Sequence, residues 1–352
     1  LRLLQKYALG DLKTLANKIT IDNAMLLYLD NNVNNRWNPN ENYAREFLEL
    51  FTILKGEQKG DGDYTNYTEH DVQMAAQVFS GFKNKNDRSI IDAETGLPMG
   101  YIKVNHHVQD DKTFSAAFGN TTITGGSDVA SILQEHEDFV NMIFSQDATA
   151  VSYVRKLYRF FVKSEWDSSV ETDIINPLAQ DLRDNGFQLL PVLKKLLESE
   201  HFYDEDDNQN TDNIIGSIIK HPMQLWTEII SAFKVNLVDA NQQDKWEEYY
   251  HYFFKNFAHN SCFSAAGFNM FSPDSVAGYP ADYQEPNYDR QWFTSVSIIA
   301  RYKYMDSFLM GKNLITGGGS FESIVDSIEY VQSTISNPYD ATTIVSEIAQ
   351  YL

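Results

Sequence analysis

Apolar residues recur at intervals of three and four along nearly every long segment of this 352-residue chain, a spacing that points to a helical architecture. The pattern predicts helices near residues 2–9, 11–29, 41–54, 68–82, 128–144, 148–163, 170–184 and 188–199. It resumes near 214–234, 243–258, 290–310, 321–335 and 341–352. Local signals agree with it. Thr68-Glu69-His70-Asp71 reads as a capping box, and Ser127 or Asp128 is placed to cap the next helix. Asn185-Gly186 is a C-terminal stop, and Pro191 falls in a first turn where its missing N–H is harmless.

Residues 84–126 are the clearest non-helical region. There, Arg88–Ile91 and Gly100–Val104 are expected to pair as a hairpin, with Thr121–Thr124 as a further short strand. The acidic run Asp204–Asn210 reads as a linker. The expected fold is therefore mainly α, a multi-helix bundle with a small β-hairpin-containing insertion. Its expected parts are a helical region, 1–203, carrying the insertion at 84–126, and a C-terminal helical region, 204–352, packed on it as one large unit.

Charge narrows the partners. Lysine plus arginine number 28 against 49 aspartates and glutamates, so 28 − 49 gives −21. A field of that sign repels phosphate backbones and anionic membrane surfaces, which argues against nucleic acid as a partner. No run of about 18 apolar residues occurs, so no transmembrane helix is expected. Cys262 is the single cysteine, which rules out an intrachain disulfide and a thiolate-rich zinc site. Lacking a basic neighbour, it reads as a buried inert thiol.

Three groups of residues carry candidate chemistry. Glu41, Arg45 and Glu49 share one helical stripe, and Glu46 and Glu49 share a face. Carboxylates paired beside an arginine suit an acid, a base or a hard-metal ligand, and the same spacing also describes a solvated i,i+4 ladder. Arg45 is expected to be mostly buried and bonded to carboxylates or carbonyls. In the insertion, His106, His107, Asp110 and Asp111 combine imidazole with carboxylate, which suits a divalent metal or an oriented base; alternatively they tie down the loop. His107 or Asp111 is expected to lie within a direct or one-water contact of a carboxylate of the Glu41–Glu49 helix. Asp61 and Asp63 begin a calcium-type spacing, but Asn66 and Val72 stand where glycine and a bidentate glutamate belong, so a tight turn explains them as well. Tyr279, Tyr283, Tyr288, Trp292 and Phe293 surround a Pro- and Gly-rich loop and offer stacking faces for a glycan or an interaction surface. Gly-x-Gly-x-x-Gly, Walker and Gly-x-Ser-x-Gly motifs are absent.

Several ordered blocks carry a family resemblance across most of the chain. They are Leu9-Gly10-Asp11-Leu12, Asn23–Asp30, Asn40-Glu41-Asn42-Tyr43 with Ala44–Leu50, Tyr67–Val72, and Phe79-Ser80-Gly81-Phe82. His107 with Asp111–Phe114 and Gly119, Lys220-His221-Pro222, and Pro273 with Gly278-Tyr279-Pro280 complete the set. Together they resemble the uncharacterised bacterial family called domain of unknown function 1800. Two positions depart from its pattern: Val108 stands where an aspartate usually follows the histidine, and Tyr279 where a tryptophan is usual. Family members have a further helical region upstream, often behind an export signal. The resemblance therefore implies a partial chain lacking that N-terminal region, and a periplasmic, outer-membrane-associated or secreted location. It also implies a protein partner, since members are often encoded beside a second exported protein. The expected role is a non-catalytic structural or binding component of an exported or cell-envelope bacterial assembly. The alternative is a metal-assisted hydrolase using the Glu41–Glu49 helix and the His107–Asp111 loop.

Overall fold

A computed structural model describes residues 1–203, 218–233, 241–309 and 327–349. The protein is mainly α, with helix accounting for 59% of the described residues. It divides into two compact units, Leu1–Ile215 and Gly216–Leu352. The acidic run at 204–210 lies outside the described residues, as do parts of the segments at 214–234, 290–310 and 321–335 expected to be helical.

The first unit begins with α1 (Arg2–Tyr7), α2 (Leu12–Thr20), α3 (Asn23–Tyr28) and α4 (Asn42–Glu46), which runs on through a π-type turn at Phe47–Phe51. Next come α5 (Glu69–Val78), α6 (Val129–Phe144), α7 (Asp147–Phe161) and α8 (Ser168–Val170). Last are α9 (Asn176–Asp184), α10 (Leu189–Leu197) and α11 (Glu200–Tyr203). The helix expected over 11–29 is split, because the Asp22 carboxylate accepts from the N–H groups of Ala24 and Met25 and so starts α3 afresh. Thr68 and Asp71 form the expected capping box of α5, and Asp128 with Ser131 forms another on α6. Helix α5 packs on α4 and α6, α6 on α2 and α7, and α7 on α9. Their shared centre is a chain of phenyl rings: Phe47–Phe79 at 5.3 Å, Phe79–Phe139 at 5.3 Å and Phe139–Phe114 at 5.4 Å. Such edge-on or tilted contacts suit the ring quadrupole.

Among the described residues the strands all lie between 82 and 123, and their pairing differs from the expected hairpin. The strand β1 (Phe82–Lys83) pairs antiparallel with β2 (Tyr101–Ile102), and β3 (Lys112–Thr113) with β4 (Thr122–Ile123). Residues 88–91 contribute one isolated bridge, Ile91 to Pro98. Burial decides the partner of β2. Phe82 and Ile102 join Ile21, Leu26 and Ile132 in a core cluster, whereas Arg88 and Ser89 are exposed and bring no apolar surface to bury. In effect the insertion is laid across α5 and α6 by its own apolar residues.

The second unit holds α12 (Pro222–Ala232), α13 (Trp246–Glu248), α14 (Pro280–Tyr283), α15 (Ser297–Leu309), α16 (Ser327–Thr334) and α17 (Ala341–Ala349). A long π-type helix, Tyr249–Phe263, continues α13. Trp226, Phe253, Phe257 and Phe263 form its core with Cys262, whose thiol is buried and pushed up by desolvation. Among the described residues no helix is long and apolar enough to cross a membrane.

Candidate functional site

The π-type turn reorganises the acidic helix. Widening by one residue per turn rotates the residues beyond Glu46, so the Glu41–Arg45–Glu49 stripe does not continue as a ladder. Arg45 keeps Glu41, donating from Nη2 to Oε2 at 3.0 Å. Its stronger partner comes from α5, where Glu69 receives Nη1 at 2.9 Å and Nη2 at 2.6 Å in a two-point fork. The hydrogen bond to Glu69 holds the guanidinium well above its ordinary range, and the same bond lowers Glu69. Arg45 is bonded to carboxylates as expected, but it is half-buried rather than mostly buried: its side chain is 34% exposed, because it lies across the rim between two helices.

Glu49 turns instead to Lys55, whose Nζ lies 2.5 Å from its Oε1, and to the hydroxyl of buried Tyr67 at 3.5 Å from its Oε2. Glu46 lies between these groups with no hydrogen bond or ion pair among the described residues. Desolvation, and then the charge of Glu49, raises its pKa. The end of the turn is held by α7. Tyr153 donates to the Phe51 carbonyl at 2.8 Å, Ser152 to that of Thr52, and Lys156 to that of Leu50. These are the carbonyls a helix end leaves without intrahelical partners. With no carboxylate beside it among the described residues, Lys156 is pushed down to about 8 by burial and then by Arg159.

The second constellation is fully buried. Gly81, at φ +81°, brings the strand after α5 within close range of the His107 backbone, where a Cβ would meet His107 N at 3.0 Å. His107 Nδ1 donates to the Ser80 carbonyl at 2.8 Å, and its Nε2 faces Glu135 Oε2 of α6 at 2.9 Å. Glu135 also receives the Gly126 N–H at 2.7 Å, and Lys112 Nζ lies 2.7 Å from its Oε1. Lys112 donates to the Val108 carbonyl at 2.5 Å as well. Desolvation lowers Lys112 while Glu135 opposes the shift. The His107 ring therefore sits between a carbonyl and a carboxylate, with both nitrogens engaged.

The expected convergence is not made by direct contact. The carboxylate that His107 meets is Glu135, and among the described residues Asp111 receives the Gly125 N–H at 3.0 Å, so neither bonds directly to a carboxylate of the Glu41–Glu49 helix. The metal grouping of His106, His107, Asp110 and Asp111 is not assembled either. His106 lies edge-on to Trp37 with ring centroids 5.2 Å apart, and Asp110 and Asp111 face solvent. Among the described residues no three or more His, Cys, Asp and Glu side chains are placed to hold a metal ion. Asp61 sits at an exposed turn tip, and Asp63 accepts the Glu69 N–H at 3.1 Å, so the segment is the tight turn before the Thr68 cap.

The Thr68–Asp71 block acts as a connector. Asp71 is wholly buried and accepts from Thr68 N, Thr68 Oγ1, Ser115 N and Ser115 Oγ at 2.7 to 2.9 Å. Within the second unit, Tyr279 and Trp292 do not form an open platform. They pack with Phe268 (4.7 Å from Tyr279, 5.9 Å from Trp292), and His221 stacks on Phe268 at 5.3 Å. Tyr288 is buried, while Tyr283 and Phe293 are exposed.

Glu135 and His136 were not legible as site residues by motif. The available signal was position: they fall on the apolar stripe Ile132, Phe139, Val140 and Ile143, where a charge needs a partner.

These features define a mainly α-helical protein whose polar signature residues tie an irregular insertion and neighbouring loops to the helices. The chain belongs to the family described as "Protein of unknown function (DUF1800)", whose model matches residues 2–352. No curated protein and no solved structure matches it.

Proposed function

We propose that this chain is a non-catalytic structural or binding component of an exported or cell-envelope bacterial assembly. One observation carries the reading: Arg45 and His107, two of the residues that looked most like parts of a reaction centre, are engaged by carboxylates of the protein itself. Arg45 is closed by Glu41 and Glu69, and His107 and Lys112 by Glu135. A buried histidine with both ring nitrogens bonded, and a lysine with no exposed surface, have no face left for substrate. A cleft of about 320 Å³ bordered by Ile53, Thr65, Asn66, Ala117, Gln146 and Asp147 includes none of them. Export and an exported protein partner are supported by the family resemblance.

Fractionation of cells carrying the natural gene, with metal analysis of the purified protein, tests both halves. The protein is expected outside the cytoplasm with metal well below one ion per chain. A cytoplasmic location would overturn the envelope assignment. A stoichiometric metal lost in Glu46→Gln, with the fold retained, would favour the hydrolase reading.

A further inference from the structure

The surface beside His106 differs in charge from the rest of this acidic molecule. Asn34 is buried and fixes the loop before α4, donating from Nδ2 to the Ala76 carbonyl at 2.8 Å and accepting the Asn40 N–H at 3.0 Å. The turn Asn35–Asn38 projects from that anchor. The Asn35 side chain accepts the Trp37 N–H at 3.1 Å, and Trp37 stands 64% exposed at the tip. Arg36 lies over the Trp37 ring at 4.8 Å, and its N–H donates to the His106 carbonyl at 2.7 Å. His106 meets the same indole edge-on at 5.2 Å.

Two lysines complete the patch. Lys83 donates to the carbonyls of Asn32 at 2.6 Å and Asn34 at 2.9 Å, which fixes its ammonium beside the loop. Lys103 is tied in by its backbone, its N–H donating to the Gly81 carbonyl and its carbonyl accepting the His106 N–H. Among the described residues none of Arg36, Lys83 and Lys103 has a carboxylate in ion-pair range, in a chain of net charge −21. Desolvation and then the charges of Lys103, Lys83 and Arg36 all lower His106.

An exposed indole beside cations that have no carboxylate partner among the described residues has a specific chemical complement. The ring face that Arg36 leaves open takes the C–H face of a sugar, and the guanidinium and ammonium groups take a carboxylate or sulfate. The overall negative field disfavours a long polyanion and favours a short, singly charged segment. We propose that Arg36, Trp37, Lys83, Lys103 and His106 form a binding site for an acidic sugar unit, a uronic acid or sulfated hexose of a short oligosaccharide. The proposal rests on the binding role given above and names its ligand class.

Calorimetric titration of the whole chain with trigalacturonic acid, galactotriose and triglutamate tests it. Trigalacturonic acid is expected to bind, with about tenfold loss in Trp37→Ala and in Arg36→Gln/Lys103→Gln. Galactotriose and triglutamate are expected to bind at least about tenfold more weakly, because each supplies only half of the recognition. Far-ultraviolet circular dichroism of each variant confirms the fold. Equal binding of triglutamate would overturn the sugar assignment, and binding unchanged in Trp37→Ala would overturn the site. Cleavage of the trisaccharide would overturn the non-catalytic reading and leave this one standing, whereas absence of any binding would sink this proposal alone.

Discussion

His136 gives the sharpest quantitative expectation. It is buried on α6 among Phe79 and Phe82, at ring distances of 5.7 and 5.6 Å, and its Nε2 has no hydrogen-bond partner among the described residues. Desolvation pushes it down to about 4 from 6.5. Its folded pKa is depressed, so between these values the unfolded chain carries a proton that the folded chain does not. Stability from this group is complete above 6.5 and falls as pH drops toward 4. At about pH 4.5 the cost works out at about 2.5 kcal/mol, from 1.36 kcal/mol per unit with allowance for partial titration. His136→Phe removes the titrating group and keeps an aromatic ring in an aromatic site. Urea unfolding of the first unit, followed by hydrogen exchange over residues 125–145, is to be measured near neutral pH and near pH 4.5. The variant should lose less stability on acidification than the parent by about that amount. Equal losses in the two proteins would refute the claim that His136 is buried in neutral form.

Three further outcomes are expected from the geometry. Asp71→Ala strands the donors of Thr68 and Ser115 and should cost about 3 kcal/mol in urea unfolding, with Asp71→Asn costing less. Arg45→Ala should cost no more than about 1 kcal/mol, since the cluster is half-exposed and screened. Glu69, held low by Arg45, contributes stability above its ordinary 4.5 that is lost as pH falls through its folded pKa, and this acid-side loss should shrink in Arg45→Ala. Ser152→Ala and Tyr153→Phe each free a carbonyl at the end of the π-type turn and should cost about 1 kcal/mol, with faster amide exchange confined to residues 47–54.

Helix was legible because its signals are local. The capping box at Thr68, the cap at Ser127 or Asp128 and the stop at Gly186 need only a few neighbouring residues, and the structure places the box at Thr68, the cap at Asp128 and the stop at Gly186. Strand pairing in the insertion was not legible, because the choice of Phe82 over residues 88–91 is made by a core built from Ile21, Leu26 and Ile132, distant in sequence. The polar network fell between these cases. His107 and Arg45 were visible as unusual, but their partners Glu135 and Glu69 are set by helix packing, and the π-type turn that redirects Glu49 has no sequence signature of its own. Glu135 on an apolar stripe was the one clue that pointed to a buried partner.

The central claim is that the signature residues hold the fold together rather than perform a reaction. Residues built for function contribute little to stability or detract from it, whereas a buried clasp contributes strongly. The direct measurement is the unfolding free energy of Glu135→Ala compared with Glu135→Leu/Lys112→Met. Removing the acid alone leaves Lys112 and His107 buried beside an unpaired Gly126 N–H, and should cost about 3–5 kcal/mol. Removing acid and lysine together should recover most of that loss. A Glu135→Ala protein as stable as the parent, or more stable, would contradict the account and mark the cluster as a functional centre.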